Sequence, residues 1–326
     1  MAALEPHVAD TIRTSDARIV IAGAGGWIGL ATLDLLNIAL GDQFEARVHA
    51  FGSNRRTLRL RDGTTIDQHP LCDLARLPSA PTILLHLAFL TKDRAEAMDE
   101  AAYRAANRAI DDLVVSALDT IGTQAIFIAS SGAAASTNSA PAMQLYGSLK
   151  REQETRFANW AERADRRAVI ARLFNLSGPY INKQTSYALA AFILDALAGG
   201  PIRIRAPQRV VRSYVAIREL MSLVFALLLD GGKSTTRFDS GGDPLEMQEI
   251  ALAVVEQCGN VAIDRPRHDP ATIDNYTGDS AQYAAMLARY RITPVSFADQ
   301  IAETVDYLSF SDERSGAIRL ASDRPA

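Results

Sequence analysis

The chain has 326 residues, 48% of them apolar and 22% charged, with 38 acids against 34 bases and a net charge of −4. Length and composition describe one large or two modest globular domains and exclude a disordered or fibrous protein, while the acid excess leaves no global basic field for nucleic acid or an anionic membrane. Two cysteines without a CxxC or Cys/His cluster, no apolar leader and no 18-residue apolar run point to a cytoplasmic protein with no metal and no membrane span.

The first 17 residues read as a polar lead-in with one helical turn. Arg18–Ala22 is a short apolar strand, Gly23–Gly29 a glycine-rich loop and Ile28–Leu40 a packed helix. Ala46–Phe51 is a second strand, and Asp62-Gly63 turns a hairpin within Thr57–Thr65. Thr82–Leu87 is a further strand, Ala95–Leu118 a long helix and Ala125–Ala129 a strand ending in Ser130-Ser131. Tyr146–Arg163 follows as a charged helix and Ala168–Phe174 as a strand. Beyond Asn175 come a loop at Leu176–Thr185, a helix at Tyr187–Leu197 and an extended run at Val210–Val215. Helices at Ile217–Leu229, Leu245–Gln257 and Phe297–Leu308 precede a polar tail, with a Pro/Asp-rich stretch read as a turn at Asp264–Thr272. The strands of the first half are apolar throughout instead of alternating, as in a parallel sheet covered on both faces.

Gly23-Ala24-Gly25-Gly26-Trp27-Ile28-Gly29 lies between the first strand and the first helix, the setting in which a glycine pattern signals a dinucleotide site. Gly23 permits the tight turn, Gly26 lets backbone approach a pyrophosphate, and Gly29 lets the helix lie close to the sheet. The helix start at Trp27 and Ile28 then offers free N–H groups to the phosphates. The second strand ends in Phe51-Gly52-Ser53-Asn54-Arg55-Arg56, with no acid to bind a ribose 2′-hydroxyl and two guanidiniums suited to a 2′-phosphate. NADP is therefore expected as cofactor, with NAD the alternative. The expected fold is α/β: a Rossmann-type doubly wound parallel sheet with a smaller C-terminal substrate-binding region. The dinucleotide-binding domain takes residues 1–175, with 205–230 returning to it, and the substrate side takes 176–204 and 231–326.

Tyr146 and Lys150 stand four apart, on one face of a helix. With 9 Tyr and 4 Lys in the chain, such a pair arises by chance about 0.1 times. It follows a strand that ends in Ser131, where open parallel sheets bind their ligands. A phenol titrates near 10, and a neighbouring ammonium favours the phenolate. Tyr146 is thus the expected acid–base group, Ser131 the hydroxyl that holds the reacting oxygen, and Lys150 the tuning cation.

These motifs resemble the extended short-chain dehydrogenase/reductase family of NAD(P)-dependent nucleotide-sugar epimerases, dehydratases and reductases, over nearly the whole chain. The glycine loop matches at Gly23, Gly26 and Gly29, and Asp73-Leu74 at the adenine contact. His86-Leu87-Ala88 matches the HxA turn, Asn107 the mid-helix Asn, and Ser131, Tyr146 and Lys150 the catalytic set. Arg172-Leu173-Phe174-Asn175 matches the R-x-F-N strand end, and Arg212-Ser213-Tyr214-Val215 the downstream strand whose arginine meets substrate phosphates. The resemblance implies that Lys150 also binds the nicotinamide ribose, that Leu87, Ala88, Asn107 and Phe174 lie on the cofactor side, and that Asn175 and Arg212 lie on the substrate side. It implies a nucleotide-sugar substrate and a homodimer. The acid at the end of strand two and the Asp-Glu pair of the dehydratases are missing, since Gly132 and Ala133 follow Ser131. The expected activity is reduction of a keto group on a nucleotide-activated sugar. A 4-epimerase with retained NAD and a non-catalytic dinucleotide sensor are the alternatives. The short Ala/Ser-rich connection between Ser131 and Tyr146 is expected to give a reduced substrate wall.

Overall fold

The computed structural model describes residues 2–135, 140–267 and 269–322, without the side chains of 269–271 and 310–322. Its strands are β1 (Arg18–Ala22), β2 (Val48–Gly52), β3 (Arg56–Arg59), β4 (Thr65–Pro70), β5 (Thr82–His86), β6 (Thr123–Ser131), β7 (Arg167–Leu173), β8 (Asn175–Ser177), β9 (Ile202–Arg203), β10 (Gln208–Ala216), β11 (Thr235–Asp239), β12 (Pro244–Glu246), β13 (Ile263–Asp264) and β14 (Asp269–Tyr276). The helices are α1 (Pro6–Thr14), α2 (Trp27–Leu40), α3 (Phe44–Arg47), α4 (Lys92–Ala97), α5 (Glu100–Leu118), α6 (Pro141–Arg163), α7 (Ala188–Leu197), α8 (Ile217–Leu229), α9 (Met247–Cys258), α10 (Ser280–Arg289) and α11 (Phe297–Ser322).

Eight strands form one sheet in the order β3-β4-β2-β1-β5-β6-β7-β11. All pairs are parallel except β3–β4, the hairpin turned at Asp62-Gly63. Alternate residues of each central strand serve opposite layers. Ile19 and Ile21 of β1, Phe127 of β6 and Val169 of β7 pack with α1, α2 and α8, whereas Val20, Ile126, Ile128 and Ile170 pack with α5 and α6. Both faces are therefore apolar and covered, which is why these strands read as continuous hydrophobic runs. The chain leaves β1 for β2 on one side and returns to β5 on the other. That reversal opens a crevice at the carboxyl ends of β1 and β5, where ligands bind in such sheets.

Several elements differ from expectation. The lead-in holds a nine-residue helix, α1, because Val8 and Ile12 fall one turn apart and bury against α2 and α8. The long helix expected at Ala95–Leu118 is two, since the Asp99 carboxylate accepts from the Ala102 amide (3.1 Å) and starts α5 afresh. Helix α6 begins at Pro141, five residues before Tyr146, with proline in its first turn. Thr235–Asp239, read as part of the substrate side, pairs with β7 and extends the main sheet. Of residues 205–230, α8 packs on β6 and β7, but β10 joins a second sheet with β8, β12 and β14. Asp269–Tyr276, which overlaps the expected turn, is the strand β14, held parallel to β10. Among the described residues no helix is long and apolar enough to cross a membrane.

Candidate active site

The glycine loop crosses the crevice under tight constraint. Gly23 has φ +93°, and a Cβ there would stand 2.6 Å from the Ala88 nitrogen, so the loop after β5 packs directly on it. A Cβ on Gly29 would meet the carbonyl oxygens of Gly23 and Ala24 at 2.5 Å, so α2 starts hard against the turn. The first bond of α2 runs from Leu30 N to Gly26 O. The amides of Trp27, Ile28 and Gly29 precede it and sit at the positive end of the helix dipole, ready for an anion. The Trp27 indole N–H donates to the Pro179 carbonyl (2.8 Å), so its side chain braces the loop and its backbone faces the crevice.

At the end of β2, Ser53, Arg55 and Arg56 are exposed. Arg56 donates to the Gly25 carbonyl (3.2 Å) and lies across the glycine loop. Arg55 stands 3.9 Å from the Asp73 carboxylate, which also pairs with Arg76 at 2.8 Å. The Leu74 side chain is fully buried in the core, so only its backbone faces the crevice. On the other side, Leu87 N donates to Ala22 O (2.8 Å) and seats Leu87 and Ala88 beside the glycine loop. Asn107 is buried, and its Oδ1 accepts from Leu90 N (2.8 Å) while the Tyr103 hydroxyl donates to Leu90 O (2.5 Å). Asn107 thus shapes the loop after β5 from behind.

Ser131 ends β6. Its hydroxyl oxygen accepts from Ala133 N (3.2 Å) and lies 3.3 Å from the Tyr276 hydroxyl. Helix α6 closes on the same turn, because a Cβ on Gly147 would meet the Ala133 oxygen at 2.3 Å. That approach brings the Tyr146 phenol into interaction with the Ser131 side chain. Burial pushes the Tyr146 phenol well above its ordinary value. Tyr276, Tyr103 and Tyr187 add to the shift, and the Ser131 hydroxyl opposes it.

Lys150 is placed differently from expectation. Its ammonium donates to Ala129 O (2.7 Å) and Gln153 Oε1 (3.0 Å), 3.8 Å from the centre of the Phe89 ring and 5.9 Å from that of Tyr146. These acceptors satisfy it below the site, so it is not what sets the Tyr146 phenol here. Burial brings the Lys150 amine down to about 7, although Asp111 and Glu154 favour its charged form. The neighbouring Ser130 hydroxyl donates to Glu154 (2.5 Å), which takes a two-pronged pair from Arg172 (2.9 and 2.8 Å), tying α6 to β6 and β7.

Beyond β7, Phe174 lies against Gly132, where a Cβ would come within 2.5 Å of its ring. Its ring centre is 4.8 Å from that of Tyr276. Asn175 Nδ2 donates to Ser213 O (3.0 Å), linking β8 to β10. Arg212, expected to be free for a substrate phosphate, instead pairs with the Asp274 carboxylate (2.7 Å) and backbone carbonyl (3.0 Å). In the parallel pairing of β10 and β14, Arg212 stands opposite Tyr276 and Asp274 opposite Val210, so the guanidinium reaches the carboxylate two positions along the same face. Sequence reasoning missed Tyr276, which sits beside a stretch read as a turn, and it missed Gly147 and Phe89. Of the expected short wall, residues 136–139 lie outside the described residues, as does residue 268. No group of three His, Cys, Asp or Glu able to hold a metal is found among the described residues.

These features fit a dinucleotide: a glycine turn closed to a Cβ at Gly23 and Gly29, three amides at a helix start, and guanidiniums at the end of β2. Residues 19–238 match the model of the NAD dependent epimerase/dehydratase family. No curated protein matches the chain. Among solved structures it is similar to a UDP-N-acetylglucosamine 4-epimerase from Methanobrevibacter ruminantium in complex with UDP-N-acetylmuramic acid. That likeness has a TM-score of 0.70 at 17% identity and covers 91% of this chain and 100% of the other. It is also similar to the Bordetella bronchiseptica enzyme WbmF in complex with NAD+ (0.70, 16%, covering 95% and 97%). A third is the UDP-glucose 4-epimerase of Thermotoga maritima with UDP-glucose (0.66, 18%, covering 90% and 99%). At these identities the likeness is one of fold. With most of the sheet inside the matched segment, the chain belongs to the NAD dependent epimerase/dehydratase family, of the extended short-chain dehydrogenase/reductase type.

Proposed function

We propose that the protein is an enzyme that moves hydride at a carbinol or keto carbon of a nucleotide-activated sugar, using NADP or NAD. The observation that carries this reading is the Ser131 hydroxyl at the carboxyl end of β6, 3.3 Å from that of Tyr276, with Gly147 seating Tyr146 of α6 on the same turn beside the glycine cradle. Gly23, Gly26, Gly29 and the amides of Trp27 and Ile28 hold the pyrophosphate. Ser53, Arg55 and Arg56 meet the adenosine ribose with Asp73-Leu74 behind it, and Leu87, Ala88 and Phe174 line the nicotinamide side. The dinucleotide supplies hydride chemistry when bound. Ser131 fixes the reacting oxygen by hydrogen bond, and Tyr146 delivers or removes its proton. The raised Tyr146 phenol keeps its proton at neutral pH, which suits delivery to a developing alkoxide. Asn175 and Arg212 face the substrate side, and Arg212 exchanges Asp274 for a diphosphate on binding.

The acid-free end of β2 favours an exchangeable NADP and hence a reductase. A 4-epimerase with retained NAD is the second reading, favoured by the fold's occurrence in UDP-sugar 4-epimerases. Purified protein is dialysed, its nucleotide identified by mass spectrometry, and a panel of nucleotide sugars incubated with it. Exchange of NADP and a reduced product support the reductase. Retained NAD and an isomer without added cofactor support the epimerase. No nucleotide binding and no conversion in any combination would defeat both.

A further inference from the structure

Beneath the site runs a chain of buried polar groups that nothing above uses. The Lys150 ammonium donates to Gln153 Oε1 (3.0 Å), and the Gln153 amide nitrogen donates to Asp111 Oδ1 (2.7 Å). The same oxygen lies 2.8 Å from His86 Nε2. An ionised carboxylate only accepts, so His86 donates from that nitrogen. All four residues are at most 5% exposed. Two helices and a strand converge here: α6 brings Lys150 and Gln153, α5 brings Asp111, and β5 brings His86. The titratable groups facing Lys150 are Asp111 and His86 from these neighbours, with Tyr146 and Glu154 from its own helix. Glu154 is neutralised by the bidentate pair with Arg172. Among the described residues no lysine or arginine pairs with Asp111.

We propose that Asp111 and Gln153 are positioning residues for Lys150. The Asp111 carboxylate faces the Lys150 ammonium through the Gln153 amide, favours its charged form against burial and aims that side chain at the floor of the site. Neither reaches substrate or cofactor, so both act through Lys150. The three elements meet at a charge and its counter-charge that solvent does not reach, and in a low-dielectric interior the attraction between the two is stronger than at a surface, set against the cost of burying them. The role in catalysis rests on the reading proposed above, whereas the electrostatic link does not.

The chain has four lysines, and Lys92, Lys183 and Lys233 are exposed. Lysine labelled with carbon-13 at Cε therefore gives four NMR signals, whose pH titrations report each ammonium without any cofactor. Asp111→Asn and Gln153→Met are each expected to move the Lys150 midpoint to lower pH by about one unit, the effect of removing one nearby opposite charge or its link. The other three lysines stay in place, and so does Lys150 in the control Glu152→Gln on the exposed face of α6. A Lys150 midpoint unmoved in both folded variants, or moved as far by Glu152→Gln, would overturn the proposal. Should Asp111→Asn unfold, seen as the Lys150 signal merging with the exposed ones, Gln153→Met decides. A Lys150 signal that shifts in a protein with no turnover would defeat the proposed function and leave this link standing.

Discussion

Replacing Lys150 with Met removes an ammonium while keeping a flexible apolar stem of similar length. In the folded protein burial brings the Lys150 amine to about 7. In an unfolded chain a lysine titrates near 10.4. Between these values the unfolded chain still holds a proton that the folded chain has released. Wild-type stability therefore rises with pH across this window, by up to about 1.4 kcal/mol per pH unit. Below the folded value both states carry the proton, and the cost of the buried charge is fully present. The Met variant has no such slope. Its stability relative to wild type should fall by about 2–3 kcal/mol from about pH 6 to about pH 9. Leaving the Ala129 carbonyl and the Gln153 amide oxygen without their donor costs about 1–3 kcal/mol each. That cost does not vary with pH, so the slope, and not the absolute difference, carries the test. Urea unfolding followed by circular dichroism at each pH gives both stabilities. A difference that stays constant across the range would refute the burial argument for Lys150.

Gly23 and Gly41 both have positive φ, +93° and +52°, but a Cβ on Gly41 meets nothing within 4 Å. Gly41→Ala should cost about 1–3 kcal/mol, from the backbone alone, because φ +52° with ψ −126° lies outside the left-handed helical region. Gly23→Ala should cost several times more and weaken dinucleotide binding, and equal urea midpoints for the two would contradict this. Tyr276→Phe keeps the ring on Phe174 and removes the hydroxyl at Ser131. Turnover should drop by about tenfold, one hydrogen bond's worth, with dinucleotide affinity unchanged in a fluorescence titration. Replacing Arg55 and Arg56 together with Ala should lower the preference for NADP over NAD by at least about tenfold in competition binding, because the charge-assisted bonds to the 2′-phosphate are lost.

Where a motif is local, the sequence was readable. The β1–loop–α2 unit follows from glycines at fixed spacing between an apolar strand and an apolar helix, and Tyr146 and Lys150 share a face because a helix has 3.6 residues per turn. What could not be read depends on distant packing. Thr235–Asp239 joins the main sheet because β7 leaves an open edge, and nothing in five residues announces that partner. Tyr276 reaches Ser131 across 145 positions, carried by the β10–β14 pairing. The seating of α6 on Ala133 depends on Gly147 lacking a side chain, a constraint visible only once the two elements meet. Lys150 was expected to face the phenol. The spacing is right, but Phe89, Gln153 and Ala129 give the ammonium better partners below.

The most direct test follows deuterium. The protein is incubated with nicotinamide cofactor deuterated at the transferring position and with each nucleotide sugar of the panel, and the sugar is analysed by mass spectrometry. The account predicts deuterium on a sugar carbon with the wild type and a loss of about 100-fold or more with Tyr146→Phe, the usual effect of losing a general acid. Undiminished transfer in that variant, or a wild type that neither transfers deuterium to any sugar nor isomerises one, would contradict it.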